Sequence, residues 1–332
     1  MRICAQCVLP ETFPGISFDS EGTCSLCRSA ENSLQDDQKR DLEKRFLAAI
    51  DRVRGTSPFD CIVAYSGGKD SSYLLDLLVT RYNLRILAVT FDNWFLSEMA
   101  FRNITAVTRR LNVSHMLIRP PYDLMKGLFR EASRRELYSR KSLERASTIC
   151  TTCISFVRFS CLRTAIEKEI PFVIFAFNPG QVPTGAAFMQ SNPGLLRNMQ
   201  RLVYLRISAI AGDEAQPYFL EERHLGPNAK LPYIINPLVF LDYQEEKVYA
   251  RIRELGWCET SDTDANSTNC LLNRYAISVH FQRYQFHPYA GEIASMVRKG
   301  LLDRDEGLRR LAPPEDDDRT VMIGKQLNES SS

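Results

Sequence analysis

Little in this sequence marks it for a membrane, for secretion or for a large polyanion. No apolar run reaches the roughly 20 residues that a membrane-spanning helix needs. The opening Met1-Arg2-Ile3-Cys4 lacks the apolar core of a signal peptide. Net charge is scarce: a balance of +2 over 332 residues excludes a strongly basic nucleic-acid binder and leaves room only for a local basic patch. The Walker-A spacing, four residues between a first glycine and a Gly-Lys pair, is absent. Compositional bias is absent as well, since 44% hydrophobic and 25% charged residues describe an ordinary soluble globular protein. The expected location is cytoplasmic, without membrane contact. A chain of this length is expected to form one large domain plus a small one, or two domains.

Cysteine, by contrast, is plentiful. Ten are present, at positions 4, 7, 24, 27, 61, 150, 153, 161, 258 and 270. Without secretion, grouped cysteines point to metal or redox chemistry instead of disulfides. Cys61, Cys161 and Cys258 stand alone in apolar or helical contexts and read as small buried hydrophobes. Cys4-Ala5-Gln6-Cys7 and Cys24-Ser25-Leu26-Cys27, with 16 residues between them, have the spacing of a four-cysteine zinc site. Each pair can form a knuckle whose two thiolates take adjacent corners of a tetrahedron. Pro10, Pro14-Gly15 and Glu21-Gly22 mark the turns of two short hairpins between them. A module of about 30 residues buries too little core to fold alone, so Zn²⁺ on Cys4, Cys7, Cys24 and Cys27 would be structural and would supply folding energy. An iron centre on the same ligands and unmetallated thiols are the alternatives.

The stretch richest in chemistry is Tyr65-Ser66-Gly67-Gly68-Lys69-Asp70-Ser71-Ser72. It follows the apolar run Cys61-Ile62-Val63-Ala64 and precedes a run with helical apolar spacing. Strand, glycine turn and helix aim backbone N–H groups and the positive end of a helix at an anion. Two adjacent glycines allow close backbone approach and positive φ. Lys69 adds a mobile charge, and Ser66 and Ser71 add hydroxyl donors. Further predicted strands cover residues 85–91, 114–118, 172–177 and 233–238, and helical patterns alternate with them. That alternation predicts an α/β fold with a doubly wound parallel sheet and a site at the carboxyl ends of its strands. Asp92, at the end of the second strand, is placed either to accept hydrogen bonds from ribose or adenine or to cap a turn. Asn178, Gly180 and Gln181, after the fourth strand, form a second glycine turn on the same rim, as part of the site or as a plain turn.

Ser66-Gly67-Gly68-Lys69-Asp70-Ser71, with its flanks, resembles the signature of the PP-loop ATP pyrophosphatases, the adenine nucleotide alpha hydrolase-like superfamily, which cleave ATP between its α and β phosphates. The resemblance implies a HUP-like sheet and binding of ATP with Mg²⁺. It places Ser66, Gly67, Gly68, Lys69, Asp70 and Ser71 around the phosphates and Asp92 beside the adenosine, with Lys69 and Asp70 taking part in catalysis. The segment from Cys7-Val8-Leu9-Pro10 to Cys24-Ser25-Leu26-Cys27 resembles the opening of the N-acetyl sugar amidotransferases, PP-loop enzymes that build amidino sugars.

Between the third and fourth strands lies a basic stretch with Arg130, Arg134, Arg135, Arg140, Lys141 and Arg145. It reads as a solvated helix face, or as a grip on pyrophosphate, a phosphorylated substrate or an RNA backbone. Cys150 and Cys153 then open an amphipathic helix, whose dipole would stabilise a thiolate. A Cys-x-x-Cys pair at this place, plus the distant Cys270, is similar to the thiolating PP-loop enzymes. In those, three cysteines hold a [4Fe–4S] cluster whose fourth iron carries sulfide. The resemblance implies that Cys150, Cys153 and Cys270 are catalytic cluster ligands here; a persulfide with a resolving cysteine and plain packing are the alternatives. Asp262, Asp264 and Asn269, on the loop carrying Cys270, read as Mg²⁺ or substrate contacts or as an ordinary polar loop. His115, His280 and His287 read as packing residues.

The resulting organisation is a zinc-ribbon-like module over residues 1–35, a linker helix over 36–58, the PP-loop domain over 59–290, a helical tail over 291–312 and a disordered end over 313–332. Residues 188–232 are expected to form a substrate-covering insertion. The expected function is adenylation of a substrate oxygen with release of pyrophosphate, followed by sulfur transfer to a tRNA base or a small metabolite. One alternative is an amidotransferase acting on an acetamido sugar with ammonia from a partner glutaminase, because no glutaminase portion is evident in the chain. The other is a nucleotide-binding zinc protein without turnover. Expected partners are ATP, the acceptor, a sulfur donor or glutaminase, and a second copy of the chain.

Overall fold

The structure is a computed structural model that describes residues 1–29, 35–261, 263–264, 266–314 and 317–329. Asp262 lies outside the described residues. The four-cysteine module carries the short helix α1 (Ser25–Arg28). Helix α2 (Asp36–Val53) leads to β1 (Cys61–Ala64), α3 (Lys69–Thr80), β2 (Ile86–Phe91), α4 (Glu98–Leu111), β3 (Ser114–Ile118) and α5 (Tyr122–Arg134). There follow α6 (Arg140–Leu143), α7 (Thr148–Glu167), β4 (Phe172–Ile174), β5 (Phe188–Gln190), α8 (Pro193–Ala211) and β6 (Tyr233–Ile235). The remainder is helical: α9 (Glu245–Glu254), α10 (Leu272–Tyr284), α11 (Ala290–Arg298), α12 (Arg304–Arg310) and α13 (Asp318–Asn328).

The strands form a six-stranded sheet in the order β3-β2-β1-β4-β6-β5. Only β5 runs antiparallel, on β6; the other pairings are parallel. The chain steps outward from β1 to β2 and β3, then returns to place β4 on the other side of β1. The order therefore reverses between β1 and β4, and the crevice at their carboxyl ends is where such a sheet binds ligands. The central strands are apolar on both faces because helices cover both. Ile62, Leu87 and Val173 face a core built with α5, α7 and α8. Val63, Ala88 and Ile174 face a second core built with α2, α3 and α9. This is the mixed α/β, doubly wound architecture expected, with the four-cysteine module at its N-terminus.

Several local expectations are corrected. The linker helix starts at Asp36, and its buried Phe46 packs edge-on against Tyr82, Phe172 and Phe240, so α2 belongs to the sheet's core. Residues 188–232 do not cover the crevice; β5 extends the sheet, and α8 packs on α5 and α7. Residues 318–328, expected to be disordered, form α13, which buries Ile323 and Leu327 against α5 and α10. Cys61 and Cys161 are buried, but Cys258 is exposed. Helix α7 is the one helix among the described residues long and apolar enough to cross a membrane, and its packing between the sheet and α8 makes it a core helix.

Candidate active site

The glycine loop connects β1 to α3 at the reversal point of the sheet. Gly67 has φ +75°, and a Cβ there would stand 2.7 Å from the Ala100 carbonyl oxygen. Both the conformation and the close approach require glycine. Trp257 donates its indole N–H to the Gly67 carbonyl at 2.9 Å, which pins the turn from the far side. Gly68 precedes α3 without a side-chain cap, so the helix N-terminus opens toward the crevice. The loop's amides are held by hydroxyls: Ser66 N–H by Ser71 Oγ (3.3 Å), Gly68 N–H by Ser66 Oγ (3.3 Å) and Lys69 N–H by Thr268 Oγ1 (3.2 Å).

A cavity of about 310 Å³ lies above the loop, of the size that takes a small ligand. Ser66, Gly68, Lys69, Asp70, Ser71, Asn178 and Gln181 line it, as do Cys150, Cys153 and Cys270. Lys69 Nζ is gripped by Asp70 (2.9 Å), the Tyr243 hydroxyl (3.0 Å) and Glu245 (3.1 Å). Burial alone would lower the Lys69 ammonium, but the charges of Asp70 and Glu245 outweigh it and hold it well above the usual lysine range. Arg310 grips Glu245 with both ends of its guanidinium, at 3.2 and 2.6 Å. Glu292 accepts the Asn178 amide at 2.6 Å, and burial pushes its carboxyl up to about 7.

The cysteines reach the cavity from two directions. Ser147 caps α7 by accepting the Cys150 N–H at 3.1 Å, so the helix start presents Cys150 and, one turn on, Cys153. Cys270 is brought opposite by backbone pairing of its loop with residues 95–97: Leu271 N–H to the Phe95 carbonyl, and Ser97 N–H to the Asn269 carbonyl. One amide nitrogen, Asn93 Nδ2, touches both Cys153 Sγ (3.3 Å) and Cys270 Sγ (3.7 Å), and Asn273 Nδ2 touches Cys150 Sγ (3.8 Å). The three sulfurs are not gathered as tightly as the ligands of one ion. Among the described residues, only Cys4, Cys7, Cys24 and Cys27 are. Burial pushes all three thiols up, Cys270 to about 11, in the direction opposite to the stabilisation expected from the helix start at Cys150 and Cys153. Burial outweighs the hydrogen bonds from Ser147, Asn93 and Asn273 that lower them.

The N-terminal module passes a simple metric test. A tetrahedron with arms of ~2.3 Å has edges of ~3.8 Å. Cys4 Sγ to Cys27 Sγ and Cys7 Sγ to Cys24 Sγ are each 3.8 Å, and all four sulfurs lie within 4.8 Å of one another. Burial raises the Cys4 thiol, but N–H groups of Cys7 and Cys24 aimed at its sulfur bring it down to about 6. The four residues fit one tetrahedral ion.

Of the sequence-predicted contacts, Gly67, Asp92, Gly180 and Asp264 are not on the cavity wall. Asp92 is taken up by Arg119 Nε (2.5 Å) and the Trp94 N–H (2.8 Å), as a turn cap would be. Its neighbour Asn93 faces the cavity instead. Gly180 lies under α11, where a Cβ would stand 2.6 Å from the Glu292 carbonyl oxygen. Asp264 closes a local turn by accepting the Asn266 N–H, whereas Asn269 does line the cavity. Asn93, Tyr243, Glu245, Glu292 and Arg310 were missed. They come from strand ends and C-terminal helices that carry no local signature; only Asn93, next to Asp92, was within reach.

No family model matches the chain. It is 25% identical over 256 residues to the uncharacterized protein MJ1599 of Methanocaldococcus jannaschii, covering 77% of this chain and 73% of that one. Among solved structures, it is similar to the U34-tRNA thiolase NcsA from Methanococcus maripaludis with its [4Fe-4S] cluster, at 14% identity and TM-score 0.35, covering 96% of this chain and 95% of that one. It is similar to NMN synthetase from Francisella tularensis at 13% identity and TM-score 0.35, covering 87% and 92%. With superposition this loose, the chain's own residues carry the functional reading.

Proposed function

We propose that the protein is an ATP-dependent enzyme of the PP-loop class that adenylates a substrate oxygen and replaces it with sulfur. One observation carries the reading: Cys150, Cys153 and Cys270, distant in sequence, open on the same cavity as Ser66, Gly68, Lys69 and Ser71. The loop amides, Lys69 and Arg310 would receive the phosphates, and the carboxylates of Asp70 and Glu245, now turned on Lys69, would receive Mg²⁺. A substrate carbonyl oxygen attacks the α-phosphorus, the bond to the β-phosphate breaks, and pyrophosphate leaves with its electron pair. A sulfur nucleophile then adds to the activated carbon, the C–O bond breaks, and AMP leaves. Cys150, Cys153 and Cys270 would hold a [4Fe–4S] cluster, whose chemistry is to carry sulfide at an iron without a protein ligand. Their spread, too wide for one ion, and their soft sulfur donors suit such a group. The four N-terminal cysteines would hold Zn²⁺.

A tRNA acceptor is favoured by the approach to the cysteine helix. Arg140, Lys141 and Arg145 are exposed; Glu144 is near enough to feel the charges of Lys141 and Arg145, but no ion pair within 4 Å closes on any of the three among the described residues. Cations left open in this way suit a phosphate backbone.

Anaerobic purification tests the reading. A brown protein that turns ATP into AMP and pyrophosphate, and loses its colour and sulfur transfer in Cys150→Ala while still binding ATP, is the expected result. A colourless protein after reconstitution with iron and sulfide, with full turnover in the cysteine variants, would sink it. Turnover supported by ammonia in those variants would mean nitrogen transfer. Salt-dependent retention of tRNA separates an RNA acceptor from a metabolite.

A further inference from the structure

Helix α12 touches both the four-cysteine module and the carboxylate that holds Lys69 of the glycine loop. At its first residue, Arg304 donates Nε to the Cys7 carbonyl (3.0 Å) and Nη2 to the Cys4 carbonyl (2.9 Å), the two residues of the first knuckle. In its middle, a Cβ on Gly307 would stand 3.1 Å from the Val8 side chain, so the helix backbone lies directly on that knuckle. At its last residue, Arg310 grips Glu245, whose carboxylate also holds Lys69 of the glycine loop (3.1 Å). The Arg310 carbonyl accepts the Asn266 amide at 3.0 Å, on the loop whose Thr268 hydroxyl holds the Lys69 N–H. Seven residues, about 9 Å of helix, thus separate the sulfur-bearing knuckle from the phosphate end of the cavity.

We infer that α12 is a strut through which metal binding in the four-cysteine module holds the nucleotide pocket in order, with Arg304 and Arg310 as its positioning residues. The inference deepens the reading of the cavity as an ATP site and rests on it for its nucleotide arm. A helix of this length is unstable alone, so its position depends on what holds its two ends. A four-cysteine module takes its folding energy from the metal. Without the metal, the Cys4 and Cys7 carbonyls lose their fixed places, and Arg304 loses both acceptors. Once Arg310 withdraws, Glu245 keeps Lys69 as its remaining cation, and an incoming triphosphate loses the Arg310 guanidinium from the cavity wall. Metal and nucleotide should therefore bind cooperatively, and thermodynamic linkage makes the effect reciprocal.

The test uses the full chain, metal-loaded and stripped by a chelator. Stripping is expected to weaken MgATP binding, read by calorimetry, by roughly tenfold, and MgATP is expected to slow metal release to a chromogenic chelator by the same factor. Arg304→Ala keeps all four cysteines and so its metal, but binds MgATP as the stripped protein does, with no further loss on stripping. Amide hydrogen exchange supplies an arm that needs no nucleotide: residues 304–310 and 244–248 should lose protection together when the metal leaves. Unchanged exchange at 244–248 in stripped protein overturns the strut, as does intact cooperativity in Arg304→Ala. Should that variant fail to fold, stripping of the wild type decides. Coupled exchange in a loaded protein that binds no MgATP would leave the strut standing and overturn the ATP reading instead.

Discussion

Glu292 holds a carboxylate at the cavity wall with an amide, from Asn178, as its close partner. Burial pushes its carboxyl up to about 7, with the Asp70 charge adding to the shift and Asn178 and Lys69 opposing it. An acid raised by folding keeps its proton in the folded state after the unfolded chain has released it. Stability then falls as pH rises from the ordinary glutamate value of 4.5 toward 7. Glu292→Gln should flatten that slope, so the variant's melting temperature should gain on the wild type between about pH 5 and pH 8. A difference that stays constant across that range would show that Glu292 ionises normally. Residue-scale reading from sequence reached the loop, because glycines, hydroxyls and the lysine act within six consecutive positions. It picked Asp92 over Asn93 because the alternation of a strand end, where the ladder stops, does not tell which neighbour turns inward.

At the scale of elements, α13 shows what a charge run can hide. Pro313-Pro314-Glu315-Asp316-Asp317-Asp318 reads as a solvated end, yet Asp317 accepts the Thr320 N–H (2.7 Å) and starts a helix. The helix has few apolar residues, but Ile323 and Leu327 are one turn apart on a single face and both are buried. Ile323→Ala should cost about 2–4 kcal/mol in chemical denaturation. A disordered end would tolerate the change without measurable loss. Helix α7 was legible in sequence by its apolar spacing and its cysteine pair. The burial of those cysteines was not, since it depends on the elements packed around the helix start, and burial pushes both thiols up.

At the scale of the whole molecule, the module is tied to the C-terminal helices. Phe13 meets Phe286 edge-on at 5.3 Å, Thr12 donates its hydroxyl to the Gln285 carbonyl, and Arg304 holds the first knuckle. Cys4, Cys7, Leu9 and Phe13 share a small core with Ala290 and Ile293. Phe13→Ala should therefore cost about 3–5 kcal/mol and speed metal release to a chelator. Loss of stability with unchanged release would mean that the ring supports α10 and α11 alone.

The glycine loop, the spacing of Cys4, Cys7, Cys24 and Cys27, and the alternation that makes a doubly wound sheet were set by sequence alone. Each is local: a turn needs its own glycines, a knuckle its own two cysteines, a buried strand its own apolar residues. The company the loop keeps was decided by tertiary structure. Cys270 stands opposite Cys153 because its loop pairs with residues 95–97. Glu245, Glu292 and Arg310 arrive on helices that pack from the C-terminal third of the chain. Such convergence depends on how whole faces fit together, and no residue's neighbours in sequence record it.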